Sequence, residues 1–352
     1  MSNLRILLVH PGASWSTHDV FTGLHDAFQR QGVEIIEYAL DNRLEHAAHF
    51  LKSAWKRSSK QAQEPSVADI LYQASLGILE RALRHKADWV FIISSMYVHP
   101  DILIMLRRAH IRAAVLFTES PYEDRWQLEL APYVQACWTN ERASLPAFLA
   151  ANDASFYYQH AIDPTKHMPG VRAGDEDVLA HDVVFVGTGF QERCDMLAAT
   201  DWTGIDLGLY GSWNLLGSRS KLRKYVRAKV IPNETTSALY RRAKLGLNLH
   251  RTSTVFGPQA EHIENAESMG PRCYELAAAG LPFASDYRAE VAEVFGDLVP
   301  TFTTSSELRA IIDRSLHDAG ERARIAHELP GCVAGHTFDA RVTEILKVLQ
   351  QA

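Results

Sequence analysis

Short apolar runs and amphipathic stretches alternate along this chain, and the alternation runs through twice. Residues 4–10 form a continuous apolar run, 11–17 a loop rich in small residues, and 19–31 a segment with helical periodicity. That order reads as strand, loop, helix. Gly32 closes the helix, 33–38 reads as a second strand, and helices are expected over 42–63 and 67–86, parted by Pro65-Ser66. Strands follow at 89–94, 113–118 and 136–139, with helices at 101–109 and 141–150. After a stretch without apolar periodicity, 163–182, the pattern restarts. Strands are expected at 182–186, 206–210, 245–249 and 282–285, and helices at 191–199, 235–244 and 271–279. The segments from 305 onward are mostly helical. Buried strands alternating with helices imply parallel sheets covered on both faces.

A chain of 352 residues is longer than one hydrophobic core comfortably fills. The Pro- and Gly-containing, charged stretch at 163–182 reads as a linker between two α/β domains. The expected division is 1–165 and 166–335, each a Rossmann-like α/β domain, with 336–352 a C-terminal helix packing back on the first. In such sheets ligands bind beyond the carboxyl ends of the strands, where strand order reverses. Residues just after strands are therefore the ones to examine.

The net charge is −6, from 36 basic and 42 acidic residues, which disfavours a protein whose main task is gripping nucleic acid through phosphates. The four cysteines, Cys137, Cys194, Cys273 and Cys332, have no CxxC spacing, so neither a zinc site nor a disulfide framework is expected. The first apolar run is too short for a signal sequence, and no run approaches the ~20 residues that span a bilayer. Cytoplasm is the expected compartment.

The densest cluster of chemistry lies between Glu267 and Ser285. Gly270 suits an N-cap and Pro271 the first helical position, where a missing N–H costs nothing. Free amides and the positive end of that helix form a ready site for a diphosphate. Arg272 adds a fork of donors shaped for phosphate oxygens. Glu275, about one turn in, is placed to accept hydrogen bonds from ribose hydroxyls.

Glu267 and Glu275 are separated by seven residues and followed by Ala278-Ala279-Gly280-Leu281-Pro282. This E-x7-E pattern resembles the signature of glycosyltransferase family 4 and its GT-B relatives. The run Leu247-Asn248-Leu249-His250-Arg251 with Gly270-Pro271-Arg272-Cys273-Tyr274-Glu275 is similar to the spore-maturation CgeB-like branch, as are Val184-Phe185-Val186-Gly187 with Glu192-Arg193, and Tyr210-Gly211-Ser212-Trp213. The resemblance is strongest over 183–286. It implies the GT-B fold, two Rossmann-like α/β domains facing across a cleft, 1–165 on the acceptor side and 166–335 binding the nucleotide-sugar, with C-terminal helices able to cross back to the first. It also implies a nucleotide-sugar donor, a UDP-sugar favoured, no tightly bound cofactor, and roles for Glu275 at the ribose and Glu267 near the donor sugar.

Further donor-side candidates are Gly187, in a turn after a strand, and Arg193 and Arg251, either of which could neutralise phosphate or serve as a surface arginine. On the acceptor side, Glu119, Asp19 and His18 are candidates for taking the acceptor proton. Loop capping is the plainer role for Asp19 and an equal alternative for Glu119. The basic run Arg219, Lys221, Arg223, Lys224, Arg227 and Lys229 is either a solvated face or a contact for an anionic acceptor.

No DxD motif appears near a strand end, and helix dipoles with Arg can stabilise a leaving diphosphate, so metal-independent transfer is expected. The acceptor is a glycan, a protein or a small molecule. A transferase acting on modified DNA bases and a nucleotide-binding module without turnover are the alternatives. A Rossmann oxidoreductase is disfavoured, because Pro11-Gly12-Ala13-Ser14-Trp15 stands where GxGxxG belongs.

Overall fold

A computed structural model describes residues 4–13, 15, 17–58, 62–229, 231–254, 262–263 and 265–351. The chain divides into two compact units, Met1–Gln159 with Phe338–Ala352, and His160–Thr337.

The first unit runs β1 (Arg5–His10), α1 (His18–Arg30), β2 (Glu34–Ala39), α2 (Asp41–Arg57), α3 (Val67–His85), β3 (Trp89–Ile93), α4 (Pro100–Arg108), β4 (Arg112–Phe117), α5 (Asp124–Leu130), β5 (Ala136–Thr139), α6 (Leu145–Ala151) and β6 (Ser155–Tyr157). Its parallel sheet has the order β2-β1-β3-β4-β5-β6. The central strands are buried along almost their whole length, which is why they read as unbroken apolar runs. Strand order reverses between β1 and β3. Val9 pairs with Ile92 and Ile93 with Leu116, so β1, β3 and β4 end within about two residues of one another at the carboxyl edge.

The second unit runs β7 (Val183–Val186), α7 (Gln191–Ala199), β8 (Leu207–Tyr210), β9 (Val226–Ala228), α8 (Asn233–Arg242), β10 (Leu245–Asn248), α9 (Pro271–Ala278), β11 (Phe283–Asp286), α10 (Ala289–Phe295), β12 (Thr301–Phe302), α11 (Ser305–His317) and α12 (Ala319–Val333). Its sheet is again six-stranded and parallel, in the order β12-β11-β10-β7-β8-β9, reversing between β7 and β10. Two parallel six-stranded sheets flanked by helices make the GT-B type of α/β fold.

Local chemistry moves several boundaries. The helix expected over 42–63 ends at Arg57, with Ser58 extended, and 59–61 lie outside the described residues. The one expected over 141–150 begins with a 3-10 turn, Arg142–Ser144, because the Glu141 side chain accepts from the Ala143 amide, and α6 starts only at Leu145. Strands β6, β9 and β12 are two or three residues long, too short to show a period of two. The charged stretch at 163–182 contains a buried carboxylate, Asp175, whose two oxygens accept from Arg241 Nε and Nη2 on α8, both at 2.7 Å.

The last helix, α13 (Phe338–Gln351), packs on α1. Arg30 forms a bidentate pair with Asp339 at 2.8–2.9 Å, and Arg341 donates to the Gln159 carbonyl. The seat for Phe338 is Gly23, on the buried face of α1: a β-carbon there would stand 2.3 Å from the Phe338 ring. Gly23→Ala therefore trades better helix propensity for overpacking, and the overpacking term is the larger. The expected result is a net loss of about 1–2 kcal/mol in urea unfolding, recovered when Phe338 is shortened to Leu. An unchanged midpoint in Gly23→Ala would refute this seating.

Candidate active site

The carboxyl edge of the second sheet is most crowded where its strand order reverses. β7 ends in Gly187-Thr188-Gly189, and Gly187 takes φ +156°, a conformation that favours glycine. Its amide donates to the Tyr210 carbonyl and the Gly189 amide to that of Ser212, which ties the turn to the end of β8. Opposite it begins α9. Gly270 is the extended N-cap, Pro271 occupies the first helical position, and Arg272 follows.

Arg272 leans back over the strand ends. Its Nη2 lies where a β-carbon of residue 187 would stand 2.3 Å away, so a side chain at 187 and this guanidinium exclude one another. Nη1 donates to Asn248 Oδ1 at 3.3 Å, and the guanidinium stacks 4.8 Å from the Phe185 ring centroid. Asn248 is itself fixed by donating to Ser285 Oγ at 2.9 Å. Tyr240 is buried on α8, and burial pushes its phenol up while the nearby Arg272 guanidinium offsets part of that rise. Among the described residues no carboxylate pairs with Arg272. Its charge is held in place and left unneutralised beside the free amides of α9. Glu275, half-buried on the next turn, has a carboxylate with no hydrogen-bond or ion-pair partner among the described residues.

Glu267 is exposed on the strand-like approach to α9, and that approach is braced. Glu290 Oε2 accepts the Met269 amide at 2.7 Å, the Glu290 amide donates to the Glu267 carbonyl, and Arg288 donates to Ala266 O at 2.8 Å. Arg193 and Arg251 serve the neighbouring loops. Arg193 is buried, donates to the Thr188 carbonyl at 2.8 Å and stacks over Phe185 and Phe190. Arg251 lies 4.9 Å from the Phe190 ring centroid and donates to the carbonyls of Ser253 and Thr254. Glu192 accepts the amides of Thr252 and Ser253. Burial alone would raise its carboxyl, yet these bonds hold it below the usual range. Most of the loop at 252–266 lies outside the described residues.

Sequence reasoning assigned no role to three groups here: Asn248, Tyr240 and the pair His250–Asp286. Asp286 accepts the His250 amide and sits 2.6 Å from His250 Nδ1. Burial would raise the Asp286 carboxyl, but the adjacent His250, with Arg288 nearby, keeps it low. The pair locks the end of β10 to the end of β11.

In the first unit His18 and Asp19 open α1, and Glu119 follows β4 in a turn closed by the Tyr122 and Glu123 amides on its carbonyl. His18 lies 6.4 Å, ring to ring, from His10, a buried residue not among the candidates read from sequence. The basic run sits elsewhere. Lys221, Lys224 and Arg227 line a groove of about 1080 Å³ with the 200–206 loop, at the amino ends of β8 and β9, the opposite edge of the sheet from Gly187 and Arg272. No described helix is long and apolar enough to cross a membrane.

Residues 193–347 match the family model described as glycosyl transferase-like. The same fold occurs in the sucrose-phosphate synthase of Thermosynechococcus elongatus, with TM-score 0.68 and 12% identity over 99% of each chain. It occurs also in a UDP-N-acetylglucosamine 2-epimerase from Listeria monocytogenes, at 0.62 and 10% over 99% of this chain and 96% of that one. A third case is the spinosyn forosaminyltransferase SpnP, at 0.53 and 13% over 99% and 100%. At such identities these structures share the fold. No curated protein sequence matches this chain.

Proposed function

We propose that this GT-B glycosyltransferase takes its sugar from a nucleoside diphosphate donor, a UDP-sugar, held at the β7–β10 switch point of the second unit. The observation that carries the reading is the fixed, unneutralised guanidinium of Arg272 beside the free amides at the start of α9. A diphosphate brings two negative charges and several acceptor oxygens, and this is the arrangement that complements them. As the bond from sugar to diphosphate breaks, charge grows on the leaving oxygen. Arg272 and the α9 amides meet it without reorganising, which is where an enzyme gains most. Glu275, one helical turn further, accepts the ribose hydroxyls. Uridine is preferred because a neighbour of the same fold, MnaA of S. aureus, is known in complex with UDP. Glu119, Asp19 and His18 stand as candidates for receiving the acceptor proton in the first unit. A DNA acceptor finds less support, since the basic run that suggested it lies at the amino edge of the sheet.

A thermal-shift panel of UDP, GDP, TDP, CMP and ADP tests the donor reading. A ligand at one hundred times its Kd stabilises the fold by about 2.7 kcal/mol, and UDP is expected to be the one that does. Glu275→Ala, at an open and half-buried position, should abolish the shift while leaving the unliganded midpoint within a degree or two. A panel with no shift at all would sink the proposal.

A further inference from the structure

Six cations, Arg219, Lys221, Arg223, Lys224, Arg227 and Lys229, stand within eleven residues of the second unit with no acidic residue among them. The rest of the chain holds 30 basic residues, 36 less these six, against all 42 acidic ones, so the run is a positive island on an acidic protein. All six are exposed. A run of this kind is ordinarily a solvated face, but here the backbone sorts it into a row. Residues Lys221–Tyr225 form a 3-10 helix capped by Ser220. At three residues per turn Lys221 and Lys224 fall one above the other, about 6 Å apart along the axis, while Leu222 and Tyr225 pack toward the core. The extended step into β9 carries the row on to Arg227, about 10 Å further. These three side chains line the groove at the amino ends of β8 and β9. Lys221 and Lys224 pair with no carboxylate among the described residues, and Arg227 reaches only Asp206, at 3.3 Å, which it shares with His181. Like charges this close repel one another within the ~8 Å Debye length of physiological salt, and a row of anions relieves that repulsion.

The rest of the lining narrows the class of anion. Among the described residues from 198 to 229 no large apolar side chain is exposed, whereas a membrane-surface anchor needs an apolar face to bury. The rings offer no platform for a base. Trp202 is 6% exposed, with Nε1 donating to the Leu197 carbonyl at 2.7 Å, and the Lys224 ammonium sits 4.7 Å over the Tyr225 ring. The 200–206 loop on the other side contributes two carboxylates, Asp201 and Asp206, with side chains 68% and 47% exposed, and the exposed Thr203. Carboxylates repel a close run of phosphates, but they accept hydrogen bonds from hydroxyls. A ligand that suits both sides carries spaced anions and hydroxyl groups together.

We propose that this groove is a binding site for a linear anionic saccharide. Its carboxylates meet Lys221, Lys224 and Arg227, and its hydroxyls meet Asp201, Asp206 and Thr203. The groove lies at the opposite edge of the sheet from Gly187 and Arg272, so it holds a chain and takes no part in the transfer step. The binding requires no donor, and the proposal stands or falls apart from the transferase reading.

Fluorescence anisotropy on the full chain tests it, with a labelled oligogalacturonate, a neutral maltooligosaccharide of the same length and an oligothymidylate of the same charge. Co-sedimentation with phosphatidylglycerol vesicles adds a membrane arm, and the UDP thermal shift is measured on the same samples. Oligogalacturonate is expected to bind, more weakly as salt is raised, and the neutral chain is expected not to. The triple variant Lys221→Gln, Lys224→Gln, Arg227→Gln should weaken that binding about tenfold or more at low salt, the combined loss of three exposed charge contacts. Removing as many exposed cations from α2, in Lys52→Gln, Lys56→Gln, Arg57→Gln, should change it less than about twofold. The melting midpoint of each variant certifies its folding. Equal losses in the two triple variants overturn the proposal, since any positive surface would then serve. Tighter binding of the oligothymidylate, of the vesicles or of the neutral chain overturns it too. No oligogalacturonate binding alongside an intact UDP shift overturns the groove and leaves the donor reading standing, and oligogalacturonate binding without any UDP shift does the reverse.

Discussion

Replacing Arg272 with Met is expected to weaken UDP binding about a hundredfold while changing uridine binding by less than about threefold. The guanidinium is held by Asn248 Oδ1 and the Phe185 face, neither of which neutralises it. Each charge-assisted bond to a phosphate oxygen is worth about 1.5–3 kcal/mol, and a planar fork makes two. Methionine keeps the stem packed over Phe185 and removes only the fork. Arg272→Lys keeps a charge but not the bidentate geometry and should fall between, near tenfold. Turnover should drop further than affinity, because charge on the diphosphate is greatest as the bond to the sugar breaks. Glu275→Ala should show the reciprocal pattern, weakening uridine and UDP alike. Calorimetric titration of the three variants with both ligands gives the comparison. Equal losses for uridine and UDP in Arg272→Met would place the guanidinium away from the phosphates.

Gly187→Ala provides a second route to the same contact. A β-carbon at 187 meets Arg272 Nη2 directly, and the residue's φ of +156° resists a side chain in any case. The variant should therefore behave as a weaker Arg272→Met with the arginine still present.

How far these residues could be read from sequence depends on how local their signals are. Pro271 after Gly270 is a local signal for a helix start, and the start lies where those two residues set it. The unbroken apolar runs of β1, β3 and β4 are equally local. What Arg272 leans on is not: Asn248 lies 24 residues earlier, and its amide is aimed by Ser285, 37 residues beyond it. Glu290, which sets the approach to α9, accepts an amide 21 residues upstream. Arginine roles are hard to read for a related reason. Arg193 and Arg251 stand after strands as phosphate-binding residues often do, yet each turns its long side chain onto carbonyls of its own loop. His10 reads as the tail of an apolar run; the fold pairs it with Ala39 of β2, brings its Nε2 to the Glu37 side chain and stacks its ring on Phe21 of α1, and Nδ1 has no partner among the described residues.

Removing Asp175 should be strongly destabilising to the second unit and should loosen the proposed donor site indirectly. Its carboxylate and the Arg241 guanidinium have side chains 6% and 5% exposed and meet through two bonds of 2.7 Å, while Asp175 also accepts the Arg172 amide. The hydrogen bonds from Arg241 hold the Asp175 carboxyl down at about 2, against burial that would raise it. Because the folded value lies below the unfolded one, the contribution is complete above about pH 4 and is lost as pH falls from there toward 2. Breaking such a pair from one side leaves a buried charge alone, at a cost of about 3–5 kcal/mol. Asp175→Leu is thus expected to lower the urea midpoint sharply and to flatten the acid limb of stability between pH 4 and 2. Arg241→Met in the same background should restore much of the loss, since two apolar residues of similar volume carry no unpaired charge. The consequence for binding follows from position: Arg241 is the neighbour of Tyr240 on α8, and Tyr240 lies near enough to Arg272 for the guanidinium to act on its phenol. The double variant, stable again but anchored without an ion pair, should bind UDP within a few-fold of the parent if α8 keeps its place. A stability deficit in Asp175→Leu that Arg241→Met does not repair would mean that the carboxylate acts through the Arg172 turn instead.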